Sequence, residues 1–189
     1  PRRHDGSARR LVRDRPVLRL ENGAAFLERG PAEGPFAHDK DVVLGAAAGG
    51  GDTPTPQPAG IDPKRLTIIL ALLEKFGGVT IGMSDVFASI AGGMKVTDAS
   101  SDLALALAIA SNHLGIPLSR QMIAVGELGL SGEVRSVSLL DQRLKEARRL
   151  GMNVAIVPAC GKLPNVLDGM QVVRVHSLSD AVNWLMDQK

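Results

Sequence analysis

The sequence predicts a mixed α/β or α+β domain over residues 61–189, preceded by a disordered, linker-like segment over residues 1–60. Apolar residues recur at helical spacing in some segments and form short continuous runs in others, which indicates helices interspersed with strands. The two kinds of element do not alternate strictly, so we expect a mixed sheet packed with helices. The third observation is a change of composition near residue 60, where glycine and proline give way to regular apolar patterns.

Residues 1–60 are rich in residue types that disfavour regular structure. They hold nine of the 21 glycines and seven of the 11 prolines, and they end in GAAAGGGDTPTPQPAG. Such a segment has little apolar surface to offset its conformational entropy, so we expect a flexible linker. The first twenty residues carry seven arginines against two aspartates. That excess is typical of a solvated tail, with a nucleic-acid-binding arm or a remnant targeting peptide as alternatives.

The first predicted helix begins at Asp62 and Pro63, because a carboxylate caps a helix and proline suits its first position. Apolar residues then recur at helical spacing until Gly77 and Gly78 end the helix. Strands are expected next over residues 79–82 and 86–90.

A second helix is predicted from Leu103 to Leu114, opened by Ser100, Ser101 and Asp102. It is apolar nearly all round, which indicates a central, buried helix. The remaining elements follow from the same periodicities. The predicted strands are 123–125, 134–137, 154–157 and 172–175, and the predicted helices are 139–150 and 178–185.

Composition excludes several classes of function. The net charge is only +2, so any electrostatic footprint for nucleic acid has to be local. The single cysteine, Cys160, excludes an internal disulfide and a cysteine-rich zinc site. Aromatic residues make up 3% of the chain, which argues against base stacking on an aromatic platform. No apolar run reaches the roughly 18 residues of a membrane span. No metal-ligand spacing and no GxxxxGK(S/T) phosphate loop is present.

Ser100 and Ser101 lie where the second helix begins. The backbone N–H groups and the positive end of the helix dipole suit this position to oxyanion stabilisation. Serine is also an ordinary helix-capping residue, so the pattern alone leaves capping and nucleophilic catalysis open. A nucleophilic serine needs a base, and none of the four histidines lies in a recognisable triad pattern.

Basic residues of the folded part are candidates for phosphate contact. They are Lys95, Arg120, Arg135, Arg143, Lys145, Arg148 and Arg149. Lys95 and Arg135 flank the two glycine turns, so we expect these two to face DNA, with an ordinary solvated side chain as the alternative. Phosphate contact would depend on oligomerisation that lines these residues along one channel.

Three segments, read together, resemble a known family: DVFASIAGGMKVTDASSDLALALAIAS, AVGELGLSGEVRSV and QRLKEARRLGMNVAIVPA. In order and spacing they are similar to the C-terminal Lon-like domain of RadA-type (Sms) DNA-repair proteins. The segment DPKRLTIILALLEKFGGV also fits the start of that domain. The resemblance covers residues 61–189 and implies a fold like the proteolytic domain of the Lon peptidases.

The resemblance also implies functions that depend on other segments of a longer protein. Members of that family carry a four-cysteine zinc finger and a RecA-like ATPase core. Zinc, ATP and magnesium are therefore implied for those parts, and no cofactor for this chain. The family forms homo-hexamers that act as DNA-dependent ATPases on branched or single-stranded recombination intermediates. DNA and further copies of the chain are the expected partners, and a membrane is not.

The Lon peptidases use a Ser-Lys dyad. By the resemblance, Ser100 takes the place of their serine, Asp102 replaces a glycine two positions later, and Asp141 takes the place of their lysine. A carboxylate there cannot accept the serine proton as a desolvated lysine does, so we expect no peptidase activity. The expected role is oligomer assembly and DNA contact. A diverged serine peptidase and a purely structural oligomerisation module are the alternatives.

Overall fold

The computed structural model forms strands and helices over most of the chain. It describes residues 15–21, 24–30, 41–48, 57–82, 84–90, 97–119, 121–161 and 169–189. The strands are β1 Arg15–Glu21, β2 Ala24–Gly30, β3 Asp41–Ala48, β4 Gln57–Ala59, β5 Ser84–Ile90, β6 Met122–Ala124, β7 Glu127–Leu128, β8 Val134–Arg135, β9 Val154–Pro158 and β10 Gln171–Val175. The helices are α1 Pro63–Lys75, α2 Asp102–Leu114, α3 Leu140–Arg149 and α4 Leu178–Met186.

Eight of the described strands form one mixed sheet in the order β10-β9-β6-β2-β1-β3-β5-β4. Strands β10, β9 and β6 run parallel to one another, and each pair from β6 through β2, β1 and β3 to β5 is antiparallel. Strand β4 runs parallel to β5 at the far edge. Strands β7 and β8 form a separate antiparallel hairpin. The predicted α/β class with a mixed sheet is confirmed.

Residues 1–60, for which a linker is predicted, contribute strands to the structure. Strands β1 to β4 lie in that segment, and β2 pairs with β6, so the described part of the segment belongs to the same sheet as the rest. The register sets Leu18 opposite Leu27 and Val17 opposite Val43. The runs that form these strands are short, and their backbone hydrogen bonds are completed by partners distant in sequence. Glycine and proline content alone does not reveal such pairing.

The predicted helices all form, with boundaries within two residues of those expected. Asp62 caps α1 through a hydrogen bond from the Lys64 N–H to its Oδ1 (2.9 Å). Ser177 and Asp180 form a reciprocal capping box at the start of α4. The strand predicted over residues 79–82 is wrong, because this stretch is a connecting loop in which Gly82 N donates to Glu74 Oε1 (3.0 Å).

The core consists of two apolar clusters on opposite faces of strands β6 and β9. Met122 and Ala124 face the larger cluster, which contains the apolar residues 103–110 of α2 together with residues of α1 and α4. Ile123 and Ala155 face the smaller cluster, which contains α3. This alternation is the period of two expected of strands buried on both faces. The start of α2 therefore has the helices of the larger cluster on one side. On its other side lies the carboxyl end of β6.

No helix among the described residues is long and apolar enough to span a membrane.

Candidate functional site

The start of α2 is a single 3-10 turn, Ala99–Ser101, that runs directly into the helix. Asp98 caps this turn, because its Oδ1 accepts a hydrogen bond from the Ser100 N–H (2.9 Å). Ser101 Oγ donates to the Asp98 carbonyl (2.9 Å). The capping role that the sequence assigned to the serines therefore belongs to Asp98. Ser100 and Ser101 are both buried.

Gly126 fixes the turn against the end of β6. Its N–H donates to the Ser100 carbonyl (2.9 Å), and its own carbonyl accepts from the Leu103 N–H (3.1 Å). A Cβ atom at position 126 would lie 2.8 Å from Val134 Cγ1 and 3.2 Å from Leu103 Cδ2. Only a residue without a side chain allows this close approach. The position of Ser100 is thus set by two backbone hydrogen bonds and close packing.

Arg143 of α3 faces the Ser100 hydroxyl. Its Nη1 donates to Ser100 Oγ (3.0 Å), its Nη2 to Asp98 Oδ2 (2.6 Å) and its Nε to the Ser138 carbonyl (3.1 Å). The Arg143 side chain is only 9% exposed. Asp98, Ser100 and Arg143 are called the Ser100 cluster below. The guanidinium is held on three sides, so its orientation is fixed.

The geometry of the Ser100 cluster opposes nucleophilic catalysis by Ser100. A guanidinium does not lose its proton in proteins, and it has no acceptor with which to take one from a hydroxyl. In the cluster it donates to Ser100 Oγ, so it occupies a lone pair of the atom that would attack. A nucleophilic serine needs a neighbouring base, and Arg143 does not supply one.

Asp141, which the resemblance sets in the place of the peptidase lysine, lies on the outer side of α3. The residue of α3 that faces Ser100 is Arg143, not Asp141. Asp141 instead pairs with Lys145 one turn along the same helix (2.6 Å between Oδ2 and Nζ). The reason is helical phase. Residues 140, 143, 144 and 147 are the buried positions of α3, and position 141 lies on its outer side.

A second buried ion pair lies on the other side of the α2 start. The Asp102 carboxylate accepts two hydrogen bonds from Arg65 of α1, one to each oxygen, and a third from the Leu128 N–H (3.2 Å). Asp102 is 3% exposed. The Arg65 partner accounts for the burial of this carboxylate. We call these two residues the Asp102 pair.

Burial and hydrogen bonding shift the pKa values of Asp98 and Asp102 in opposite directions. Burial raises the pKa of Asp102 above its ordinary value, and the hydrogen bonds and charge of Arg65 oppose that rise. For Asp98, partial burial acts upward, but the Ser100 N–H and the Arg143 guanidinium outweigh it and hold the pKa below its ordinary value. The carboxylate of Asp98 is therefore the form that the fold stabilises.

Arg135, one of the two predicted DNA-facing residues, lies on β8 and is half exposed. Its Nη2 is 2.5 Å from Glu133 Oε1, and its Nη1 is 3.6 Å from Glu127 Oε1. The two glutamates therefore compete with any phosphate for this side chain. Lys95, the other predicted residue, lies outside the described residues.

A groove of about 300 Å³ opens between α1 and the β7–β8 hairpin, above the Asp102 pair. We call it the α1–hairpin groove. Its apolar lining residues are Ile68, Ile69, Leu72, Leu128 and Leu130, and its polar ones are Asp62, Lys64, Arg65, Asp102, Glu127 and Arg135. Ile68 is 43% exposed and Leu130 is 72% exposed. The groove therefore presents apolar side chains to solvent beside ion pairs.

The described part of the chain contains no group of three His, Cys, Asp or Glu side chains placed to hold a metal ion. The described residues therefore do not fit the zinc or magnesium that the resemblance assigns to other segments.

Sequence reasoning missed Arg65 and Asp98, and it counted Arg143 only as a possible phosphate contact. The signal for Arg143 is its place on the apolar face of α3, between Leu140 and Leu144. A charged residue on a buried helix face requires a partner. The partners of Arg65 and Arg143 are 37 and 45 residues distant in the chain, which local patterns do not indicate.

The fold and the Ser100 cluster define a class: a mixed α/β domain in which a serine at the start of a buried helix faces an arginine in place of a base. Comparison with known proteins gives two findings, a match to a family model and a set of similar relatives. The family described as subunit ChlI of Mg-chelatase matches residues 68–160.

Several relatives named DNA repair protein RadA match this chain. The protein from Escherichia coli is 41% identical over 128 residues, covering 68% of this chain and 28% of that relative. The Aquifex aeolicus protein is 40% identical over 133 residues, covering 70% and 30%. The Mycobacterium tuberculosis protein is 34% identical over 153 residues, covering 81% and 31%. The chain belongs to the RadA family and spans about three tenths of the length of these relatives.

Replacing Arg143 with methionine is expected to lower the free energy of unfolding by about 1–3 kcal/mol, because it leaves Asp98 and the Ser138 carbonyl without the donor that satisfies them. Urea denaturation measures the change. Arg149→Met is the matched control, since Arg149 is 71% exposed and pairs with Glu146 on the same helix. It should cost less than about 1 kcal/mol. Equal losses in the two variants would contradict a structural role for the cluster.

Replacing Asp98 with asparagine should make stability less dependent on pH. The pKa of Asp98 is lowered in the folded state. Its ionised carboxylate therefore stabilises the fold at pH values above the unfolded pKa of about 3.9, and this stabilisation is lost as pH falls through the folded pKa. At pH 7 the melting temperature of the wild type should therefore be higher than that of Asp98→Asn. The gap should shrink as pH falls below about 4. A gap of constant size from neutral to acid pH would show that the Asp98 charge has no part in stability.

Proposed function

We propose that this chain is a non-proteolytic domain of a RadA-type DNA-repair protein, with a Lon-like fold that supports self-assembly and contact with DNA. The observation that carries the first part is the hydrogen bond from the Arg143 guanidinium to Ser100 Oγ (3.0 Å). The guanidinium occupies the position beside the serine hydroxyl where a serine peptidase needs a base. The name of the relatives, DNA repair protein, supports the second part.

The ion pairs around the α2 start support a structural rather than a catalytic role. Two arginines enter this region from two different helices, and each is bound by a buried or half-buried carboxylate. A catalytic site usually holds groups whose protonation changes during the reaction. Here the guanidinium groups stay charged, and they tie α1 and α3 to the start of α2. Such ion pairs hold the helices of an assembly domain in one rigid arrangement.

Arg135 remains the proposed DNA contact within the described residues, together with Lys95 outside them. The Arg135 side chain is half exposed and reaches solvent from a short hairpin. A phosphate would replace Glu133 as the partner of Arg135. A bidentate arginine–phosphate pair is stronger than the arginine–glutamate pair when several such contacts form together. In a ring of several copies, the same residue would recur along one face of the assembly. The contact would position DNA and would not read its sequence.

Binding of the 189-residue chain to a fluorescently labelled branched DNA over a range of salt concentrations tests the DNA contact. We expect affinity to fall as salt rises. Arg135→Ala should weaken binding for every DNA sequence and reduce the salt slope by about one contact. Glu133→Gln should strengthen binding, because it releases the Arg135 guanidinium from its carboxylate partner.

Arg149→Ala is the matched control for this experiment. It removes the same charge from another exposed arginine that is also paired with a glutamate. A drop equal to that of Arg135→Ala would indicate a general charge effect and contradict the proposed contact. Assembly without any DNA binding would favour the purely structural alternative.

The peptidase alternative makes the opposite prediction about Ser100. We expect no hydrolysis of casein, an unstructured substrate, by the wild-type chain, and no labelling of Ser100 by a fluorophosphonate, because Arg143 donates to the hydroxyl and cannot accept its proton. Hydrolysis that Ser100→Ala abolishes and Ser101→Ala retains would overturn the non-proteolytic assignment. Mass spectrometry of the labelled protein distinguishes the two serines.

A further inference from the structure

The β7–β8 hairpin closes around one of its own side chains, Glu133. The Ser131 N–H donates to Glu133 Oε2 (3.1 Å), and Arg135 donates to Oε1 through Nε (3.0 Å) and Nη2 (2.5 Å). The N–H of Glu133 itself and the Arg135 guanidinium hold the pKa of this carboxyl below its ordinary value. Backbone N–H groups that converge at a turn form anion-binding concavities. We call these donors, the N–H groups of residues 131 and 133 and the Arg135 guanidinium, the hairpin anion site.

Gly129 leaves the space in which the Glu133 carboxylate lies. A Cβ atom at position 129 would overlap that carboxylate, whose Oε1, Cδ and Oε2 are the three atoms nearest to it. The backbone at Gly129 does not have the positive φ that favours glycine. Its N–H donates to the Glu133 carbonyl and its carbonyl accepts from the Gly132 N–H (both 2.9 Å), and neither bond depends on the missing side chain. Alanine at position 129 would therefore displace the carboxylate and leave the turn in place.

The carboxylate occupies the hairpin anion site without being buried there. The Glu133 side chain is 40% exposed and that of Arg135 is 54% exposed. Exposed ion pairs contribute little to stability, because water and salt screen them. The end of the Glu133 side chain can therefore rotate into solvent, which leaves the donors of the site to another anion.

Charge around the site favours a singly charged ligand. Arg135 Nη1 lies 3.6 Å from Glu127 Oε1, so a second carboxylate stays beside the site when Glu133 leaves. A phosphodiester of the DNA backbone carries one negative charge, as the Glu133 carboxylate does. A phosphate monoester carries about 1.5 to 2 negative charges at pH 7 and meets stronger repulsion from Glu127. The ligand class that the site fits is therefore the phosphodiester.

We propose that the Glu133 carboxylate is a built-in competitor at the hairpin anion site, and that a phosphodiester of the DNA backbone takes its place there. The inference rests on the DNA contact of the proposed function, and it adds the backbone donors of that contact and the group that blocks them. The phosphate would accept from the Ser131 N–H and the Arg135 guanidinium, as the carboxylate does in this structure. A competitor of this kind rejects isolated phosphates, since only a strand that makes further contacts offsets its displacement.

Gly129→Ala tests the competitor without changing any charge. Fluorescence anisotropy of a labelled oligothymidine, titrated with the full 189-residue chain at low salt, measures the affinity. We expect Gly129→Ala to bind about two- to fivefold more tightly than the wild type, the range that an exposed ion pair allows. The gain should vanish when Glu133→Ala or Arg135→Ala is added. Leu130→Ala, at the tip of the same turn (72% exposed), is the control and should bind as the wild type does.

A second pair of variants keeps the test decisive if Gly129→Ala does not fold. Glu133→Ala and Glu127→Ala each remove one carboxylate beside Arg135, but Glu133 is the one that accepts from the Ser131 N–H. Glu133→Ala should therefore tighten oligothymidine binding more than Glu127→Ala does. Equal gains would reduce the effect to charge and overturn the competitor.

The other outcomes separate this inference from the proposed function. Equal binding by the wild type and Gly129→Ala, with weaker binding by Arg135→Ala, would overturn the competitor and leave the DNA contact standing. A gain that persists in the Glu133→Ala background would also overturn the competitor. Absence of oligothymidine binding by the wild type, Gly129→Ala and Glu133→Ala would overturn both. Inorganic phosphate that displaces the oligothymidine from Gly129→Ala at an equal concentration of phosphate groups would overturn the assignment of a phosphodiester.

Discussion

The contacts of the Arg143 guanidinium join the two apolar clusters of this fold at the start of α2. Its helix packs in the smaller cluster, and its donors reach Asp98 and Ser100, which lead into the helix at the centre of the larger one. Without it, the 3-10 turn would keep its Asp98 cap and its backbone hydrogen bonds to Gly126. It would lose its connection to α3. The Ser100 hydroxyl and the Ser138 carbonyl both accept hydrogen bonds from this one side chain.

The same contact also determines what can happen at the Ser100 hydroxyl. A lysine at this place would be a compact ammonium that burial can deprotonate, whereas arginine keeps its charge and spreads five donors over a plane. Those donors satisfy two acceptors besides Ser100 Oγ. Arg143 thus braces the start of α2 and cannot take a proton from Ser100. The Asp102 pair has the same character on the α1 side, where the Arg65 guanidinium binds a buried carboxylate.

Periodicity predicted the helices of this chain well, because each has an apolar face and a recognisable start. It predicted the serine at the α2 start as a position of interest for the same reason. What it missed depended on pairing across distance. Strand β2 pairs with β6, and β3 and β4 pair with β5, partners that lie far along the chain; the Ser100 cluster draws on α3. The α3 residue that contacts Ser100 is Arg143, two positions beyond Asp141, because two positions on a helix move a side chain from the outer face to the buried one.

The pairing of β2 with β6 also bears on how the chain reaches this fold. Phe26 lies opposite Ile123, so the middle of the sheet joins strands made at very different times during synthesis. The hairpin of β1 and β2 is local and can form early, but the open edge of β2 has no partner until Ala124 has left the ribosome. Contacts between residues so far apart in sequence slow folding, since a long loop must close before they form. During that interval the β2 edge is an unpaired strand of the kind that associates with other chains, so the sheet order makes nascent copies prone to mispairing.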